Sequence, residues 1–68
     1  MDKVLITKEV ARTLRLSEEY VRELIRQGKI AAYKEGRRGG YRVSAEEVDK
    51  YIKRKYREFE NNRKIAHG

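Results

Sequence analysis

Cysteine and proline are both absent from the 68 residues, and histidine occurs once, as His67. Without cysteine, neither a disulfide framework nor a thiolate-held zinc can support a small domain, and one histidine beside the end makes no histidine-rich metal site. No apolar run approaches the roughly 20 residues that span a bilayer. The opening MDKVLITKEV also lacks the apolar segment of a signal peptide, so the expected compartment is the cytoplasm. Catalytic patterning is missing as well. Thr7, Ser17 and Ser44 read as helix caps, the carboxylates gather at helix starts, where the dipole accounts for them, and no base is spaced to activate a hydroxyl. Neither an enzyme nor a cofactor nor a metal is expected.

What the chain has is charge. Lysine and arginine number 18 against 11 acidic residues, giving a formal net charge of +7 and a pI near 9.9. That excess favours a polyanionic partner. Its placement is uneven. Residues 17–28 carry three glutamates against two arginines, whereas residues 29–43 carry five basic side chains against the single Glu35. The length allows one small domain with one modest core, near the lower limit of independent stability.

Val4-Leu5-Ile6 is a short apolar run, either an edge strand or a lead-in that anchors the beginning of the chain. Thr7 is placed to cap a first helix of about two turns whose inner side is Val10, Ala11 and Leu14. A helix that short is marginal alone and has to pack on something. Leu14-Arg15-Leu16 makes a tight connection to a second helix. Ser17 caps it, Glu18 and Glu19 suit its positive end, Leu16 and Val21 form a hydrophobic staple, and Gly28 closes it. Val21, Leu24 and Ile25 are its inner stripe; Glu19, Arg22, Glu23 and Arg26 repeat at i, i+3, i+4, i+7 on the outer face. The result is a helix, a short turn and a helix.

Beyond Gly28 the period changes. Lys29–Lys34 and Tyr41–Val43 read as two strands around Glu35-Gly36-Arg37-Arg38-Gly39-Gly40, whose three glycines supply the positive φ angles of a hairpin. Tyr33, Tyr41 and Tyr51 read as core residues with a surface hydroxyl. Ser44-Ala45-Glu46-Glu47 is a capping box opening a third helix, along which Val48, Tyr51, Ile52, Tyr56 and Phe59 recur at helical spacing. With no proline, nothing forces a break before Asn61-Asn62, and fraying is expected from Asn61 onward.

The segments LITKEVARTL, LRLSEEYVRELIRQGKI, AAYKEGRRGGYRVS and AEEVDKYIKR, taken in that order over residues 5–53, resemble the small winged helix-turn-helix domains of the excisionase family, relatives of the DNA-binding half of MerR-type regulators. The fold class implied is α+β and mostly helical: a helix-turn-helix, a two-stranded hairpin wing and a C-terminal helix. Residues 1–55 would form the DNA-binding domain, and 56–68 a basic helical tail fraying toward its end. The resemblance implies the second helix in the major groove of double-stranded DNA and the wing on flanking phosphates or the minor groove. It also implies a bacterial, nucleoid-associated protein of a mobile genetic element that bends attachment-site DNA, binds repeated sites through self-association and directs an integrase. A small MerR-like transcription regulator is the close alternative; a protein-interaction adaptor is the alternative of another class.

The residue chemistry assigns roles within that frame. Ser17, Glu19, Tyr20, Arg22, Glu23 and Arg26 form the candidate reading surface, with Arg22 and Arg26 able to bind guanine O6 and N7 in a bidentate way and Glu19 or Glu23 able to accept from cytosine N4. The plainer account is surface ion pairs of Glu18 with Arg22 and Glu23 with Arg26, each worth about a few tenths of a kcal/mol. Lys34, Arg37, Arg38 and Arg42 are the candidate wing contacts to phosphate or a narrow minor groove. Their plainer account is a solvated turn. Lys53, Arg54, Tyr56, Arg57 and Phe59 extend past what so small a domain covers and offer a partner surface, or else a solvated basic face.

Overall fold

A computed structural model of the chain describes residues 3–67, with side chains from Lys3 to Arg63. The order is β1 (Val4–Ile6), α1 (Thr7–Leu14), α2 (Glu18–Arg26), β2 (Tyr33–Lys34), β3 (Tyr41–Ser44) and α3 (Ala45–His67). This is a small winged helix-turn-helix of the α+β class. α3 continues through Asn61-Asn62, where fraying is expected, to His67; the side chains of residues 64–68 lie outside the described residues.

The apolar lead-in is a strand. β1 pairs antiparallel with β3, with Leu5 opposite Val43, and the sheet has three strands in the order β1-β3-β2. The wing is therefore a hairpin with a third strand added to its inner edge. That third strand also corrects the start of α1. Because Ile6 is held in register against Arg42, the chain leaves the sheet at Ile6, and Thr7 becomes the first helical residue, buried rather than capping. The free Ile6 N–H instead donates to the Glu9 carboxylate at 3.0 Å.

The turn between α1 and α2 comprises Arg15, Leu16 and Ser17. Leu16 N–H reaches back to the Ala11 carbonyl (2.9 Å) and Arg15 N–H to that of Arg12 (3.3 Å), the bond pair of a Schellman ending, with Arg15 in the left-handed region at φ 58°. The Ser17 hydroxyl accepts from Tyr20 N–H at 3.1 Å, the expected cap. The far end of α2 repeats the Schellman pattern around Gly28, at φ 76°: Lys29 N–H bonds Leu24 O (2.9 Å) and Gly28 N–H bonds Ile25 O (3.0 Å). Both helices of the pair thus have their end groups satisfied locally, which sets the short turn and the crossing.

The core is Val10 and Ala11 of α1, Val21 and Leu24 of α2, Ile30, Val43 of the central strand, and Val48 and Tyr51 of α3, with Leu5, Leu14, Leu16, Ile25 and Ile52 packed around it. One stripe from each helix, closed by Leu5 and Val43 of the sheet and by Ile30, suffices for so small a domain. Tyr33 is a correction: it is exposed, because β2 is only Tyr33–Lys34 and lies at the sheet edge. Tyr41 is half-buried and Tyr51 buried.

The hairpin glycines also divide differently from expectation. Only Gly36, at φ 70°, takes a positive φ angle. Gly39 is required for closeness instead, since a Cβ there would lie 1.7 Å from the Glu35 carbonyl oxygen. On α3, the Ser44 hydroxyl accepts from Glu47 N–H at 3.2 Å, the first arm of the expected capping box.

Candidate nucleic-acid interface

The outer face of α2 is a closed set of charges. Glu19 stands at its centre: its Oε2 accepts from Nε and Nη2 of Arg22, both at 3.3 Å, and its Oε1 accepts from Arg26 Nη2 at 2.9 Å. Glu18 lies 3.9 Å from Arg22, and Glu23 lies 3.4 Å from Arg26. Hydrogen bonds from Arg22 and then Arg26 hold the Glu19 carboxyl below its ordinary value of 4.5. The two surface pairs expected from spacing are present. The Glu19 bridge to Arg26 was not expected as a pair, although its signal was available: seven residues on a helix is close to two turns, so both guanidiniums fall beside the same carboxylate.

All of these groups are exposed, and exposed ion pairs add little to stability. Their importance is electrostatic presentation. Three carboxylates face two guanidiniums, so the helix that would enter a groove carries no positive surplus.

The surplus lies around it. Arg37 and Arg38 are exposed at the wing tip, and among the described residues neither has an ion-pair partner. Lys34 stands over the Tyr41 ring, 5.5 Å from its centroid, directly across the hairpin. Arg42 curls back along its own strand, with Nη1 donating to Gly40 O at 3.2 Å and to Tyr41 O at 3.4 Å.

Between α2 and the wing runs a groove of about 480 Å³, lined by Lys8, Glu18, Arg22, Tyr41 and Arg42 together with Ile6 and Thr7. Here the first turn of α1, the first turns of α2 and the central strand of the wing meet on one face. Arg22 and Arg42, expected to act in separate elements, share it. Lys8 and Tyr41 are members that the sequence does not reveal: Lys8 carries no site signal there and Tyr41 reads as core, and the pairing of β1 with β3 brings the start of α1 beside the strand that holds Tyr41 and Arg42.

A family model described as a helix-turn-helix domain matches residues 4–56. The chain belongs to this helix-turn-helix domain family. No curated protein and no solved structure matches it. The match to this DNA-binding domain runs from β1 through α1, α2 and the wing into α3, so the groove lies wholly within it, and Tyr56 is its last residue.

Other expected site residues sit as follows. Ser17 is committed to capping, which leaves it a positioning role. Tyr20 is half-exposed on the first turn of α2. Arg54 donates to the Lys29 carbonyl and rests over the Tyr51 ring at 5.7 Å, so it ties α3 to the end of α2. Lys53 pairs with Asp49 at 3.0 Å. Tyr56 and Phe59 are exposed, at 72% and 62%, as the length of their stripe implied. No helix among the described residues is long and apolar enough to cross a membrane.

Proposed function

We propose that this protein binds duplex DNA with α2 in the major groove, selecting sequence through Arg22 and Arg26, while Arg37, Arg38, Lys34 and Arg42 of the wing hold phosphates. The observation that carries this reading is the groove in which Lys8, Arg22 and Arg42 line one face of a helix-turn-helix domain. The division of labour follows from charge. The arginines of α2 are already neutralised by Glu18, Glu19 and Glu23, so the sequence-independent attraction has to come from the wing and from basic side chains of α1.

The biological role we assign is that of an excisionase: binding attachment-site DNA cooperatively, bending it and directing an integrase toward excision. Support comes from the resemblance of residues 5–53 to that family, and from the exposed Tyr56, Arg57 and Phe59, which carry an uncovered stripe of α3 to and past the end of the matched domain. In this division residues 1–55 bind DNA and 56–68 serve the partner or a second copy. A reconstituted reaction with a cognate integrase and paired attachment sites tests the role. Excision products should depend on the protein and fall when Tyr56 and Phe59 are both changed to serine. Excision that proceeds equally without the protein contradicts the assignment.

A further inference from the structure

The Glu19 carboxylate is placed so that it treats two kinds of DNA acceptor differently. It takes the Nε and Nη2 edge of Arg22 at 3.3 Å and one Nη2 of Arg26 at 2.9 Å. A guanidinium has five N–H donors in a rigid fork, so a carboxylate on one edge leaves another edge open. An arginine held this way can bind guanine O6 and N7 with the open edge, because that acceptor is neutral and Glu19 stays paired throughout. A phosphate on the same edge is an anion brought within a few ångströms of a second anion, and it is repelled.

We propose that Glu19 is a specificity-determining residue of α2: by buttressing Arg22 and Arg26 it penalises phosphate contacts by these arginines while leaving their guanine contacts intact. The inference rests on the reading that α2 faces DNA. Glu18 and Glu23 serve this function less well. Glu18 stands 3.9 Å from Arg22 Nη1, beyond hydrogen-bond reach of the edge that Glu19 leaves open, and Glu23 reaches Arg26 but not Arg22, whereas Glu19 bridges both. The wing has no counterpart, since Arg37 and Arg38 carry no carboxylate partner among the described residues and bind phosphate without penalty.

The test uses the full chain and duplexes enriched from a random pool by the wild-type protein. Affinity for the enriched duplex and for the unselected pool is measured over a range of salt for wild type, Glu19→Gln and Glu18→Gln. Glu19→Gln keeps the shape and removes the charge at an exposed position, and circular dichroism confirms folding. The expected result is roughly tenfold tighter binding of the unselected pool by Glu19→Gln, from relief of repulsion between near charges. The salt slope should steepen by about one, for at least one new phosphate contact. The preference for the enriched duplex should shrink by about tenfold, with a distinctly smaller change for Glu18→Gln. Equal effects from the two variants would reduce Glu19 to its share of net charge and overturn the proposal. So would parallel shifts on both duplexes. Failure of the wild-type protein to bind the pool, or to enrich any sequence from it, would overturn the reading of α2 together with the proposal.

Discussion

Arg54, on α3, donates to the carbonyl of Lys29, the residue that follows the glycine closing α2. Through this bond and the stacking of Arg54 over Tyr51, the long third helix is tied to the chain just past the end of the second. Replacing Arg54 with methionine keeps the aliphatic stem and removes the donors. The expected loss is about 1 kcal/mol, at the modest end for a charged donor because the site is exposed. A lowered urea midpoint with an unchanged slope would show it, and an unchanged midpoint would mean the bond contributes nothing.

Arg15 holds a left-handed conformation at φ 58° in the turn between α1 and α2. A non-glycine residue there carries a steric penalty of roughly 1 kcal/mol, part of which glycine returns as entropy of its unfolded chain. Arg15→Gly should therefore raise stability by about 0.5 kcal/mol. A fall in the thermal midpoint would contradict this. If stability rises while DNA affinity drops, the arginine is retained at that position for a phosphate contact.

The different partners of the α2 and wing arginines predict different consequences of losing them. Arg22→Ala should reduce discrimination between enriched and unselected duplexes by about 1–3 kcal/mol, the value of one bidentate base contact. Arg38→Ala should weaken binding to every duplex more evenly and flatten the salt dependence by about one. Small and equal effects from both variants would count against this assignment of roles.

The Glu19 carboxyl, lowered by its bonds to Arg22 and Arg26, gives a pH prediction. Its folded-state value is depressed, so the pairing is fully present above the ordinary 4.5 and is lost as pH falls through the lowered value. A side-chain carboxyl titration by NMR should show a midpoint below 4.5 in the wild type, moving back toward it in Arg22→Gln and further in the double variant with Arg26→Gln. A midpoint indifferent to both substitutions would mean the bridge does not persist in solution.

The parts of this molecule readable from sequence are those whose signals are local. Ser17 caps α2, Gly28 ends it, and the inner stripe of Val21 and Leu24 is buried, because side-chain caps, left-handed endings and helical spacing all act within a few residues. Misreadings arose where a distant partner decides. Thr7 is polar and precedes an apolar stripe, as a cap would, yet the pairing of Ile6 with Arg42 shifts the helix start and turns Thr7 inward. Tyr33 alternates as a strand residue should, but the edge position of β2 leaves it exposed. Gly39 needs glycine because of the Glu35 carbonyl, a contact that no count of turn residues reveals. The candidate site shows the same split. Its α2 residues were legible from periodicity, while the placement of Lys8 beside the strand of Tyr41 depends on the pairing of β1 with β3.

If the wing side of this helix-turn-helix domain binds phosphates of duplex DNA, a salt titration of binding to a short duplex of arbitrary sequence reads it out. At least three phosphate contacts, from Arg37, Arg38 and one further basic side chain, predict a fall of log affinity with log salt at a slope of about −3 or steeper. The slope should flatten by about two when Arg37 and Arg38 are both replaced by alanine. Absent binding, or an affinity indifferent to salt, would mean that the wing holds no phosphates.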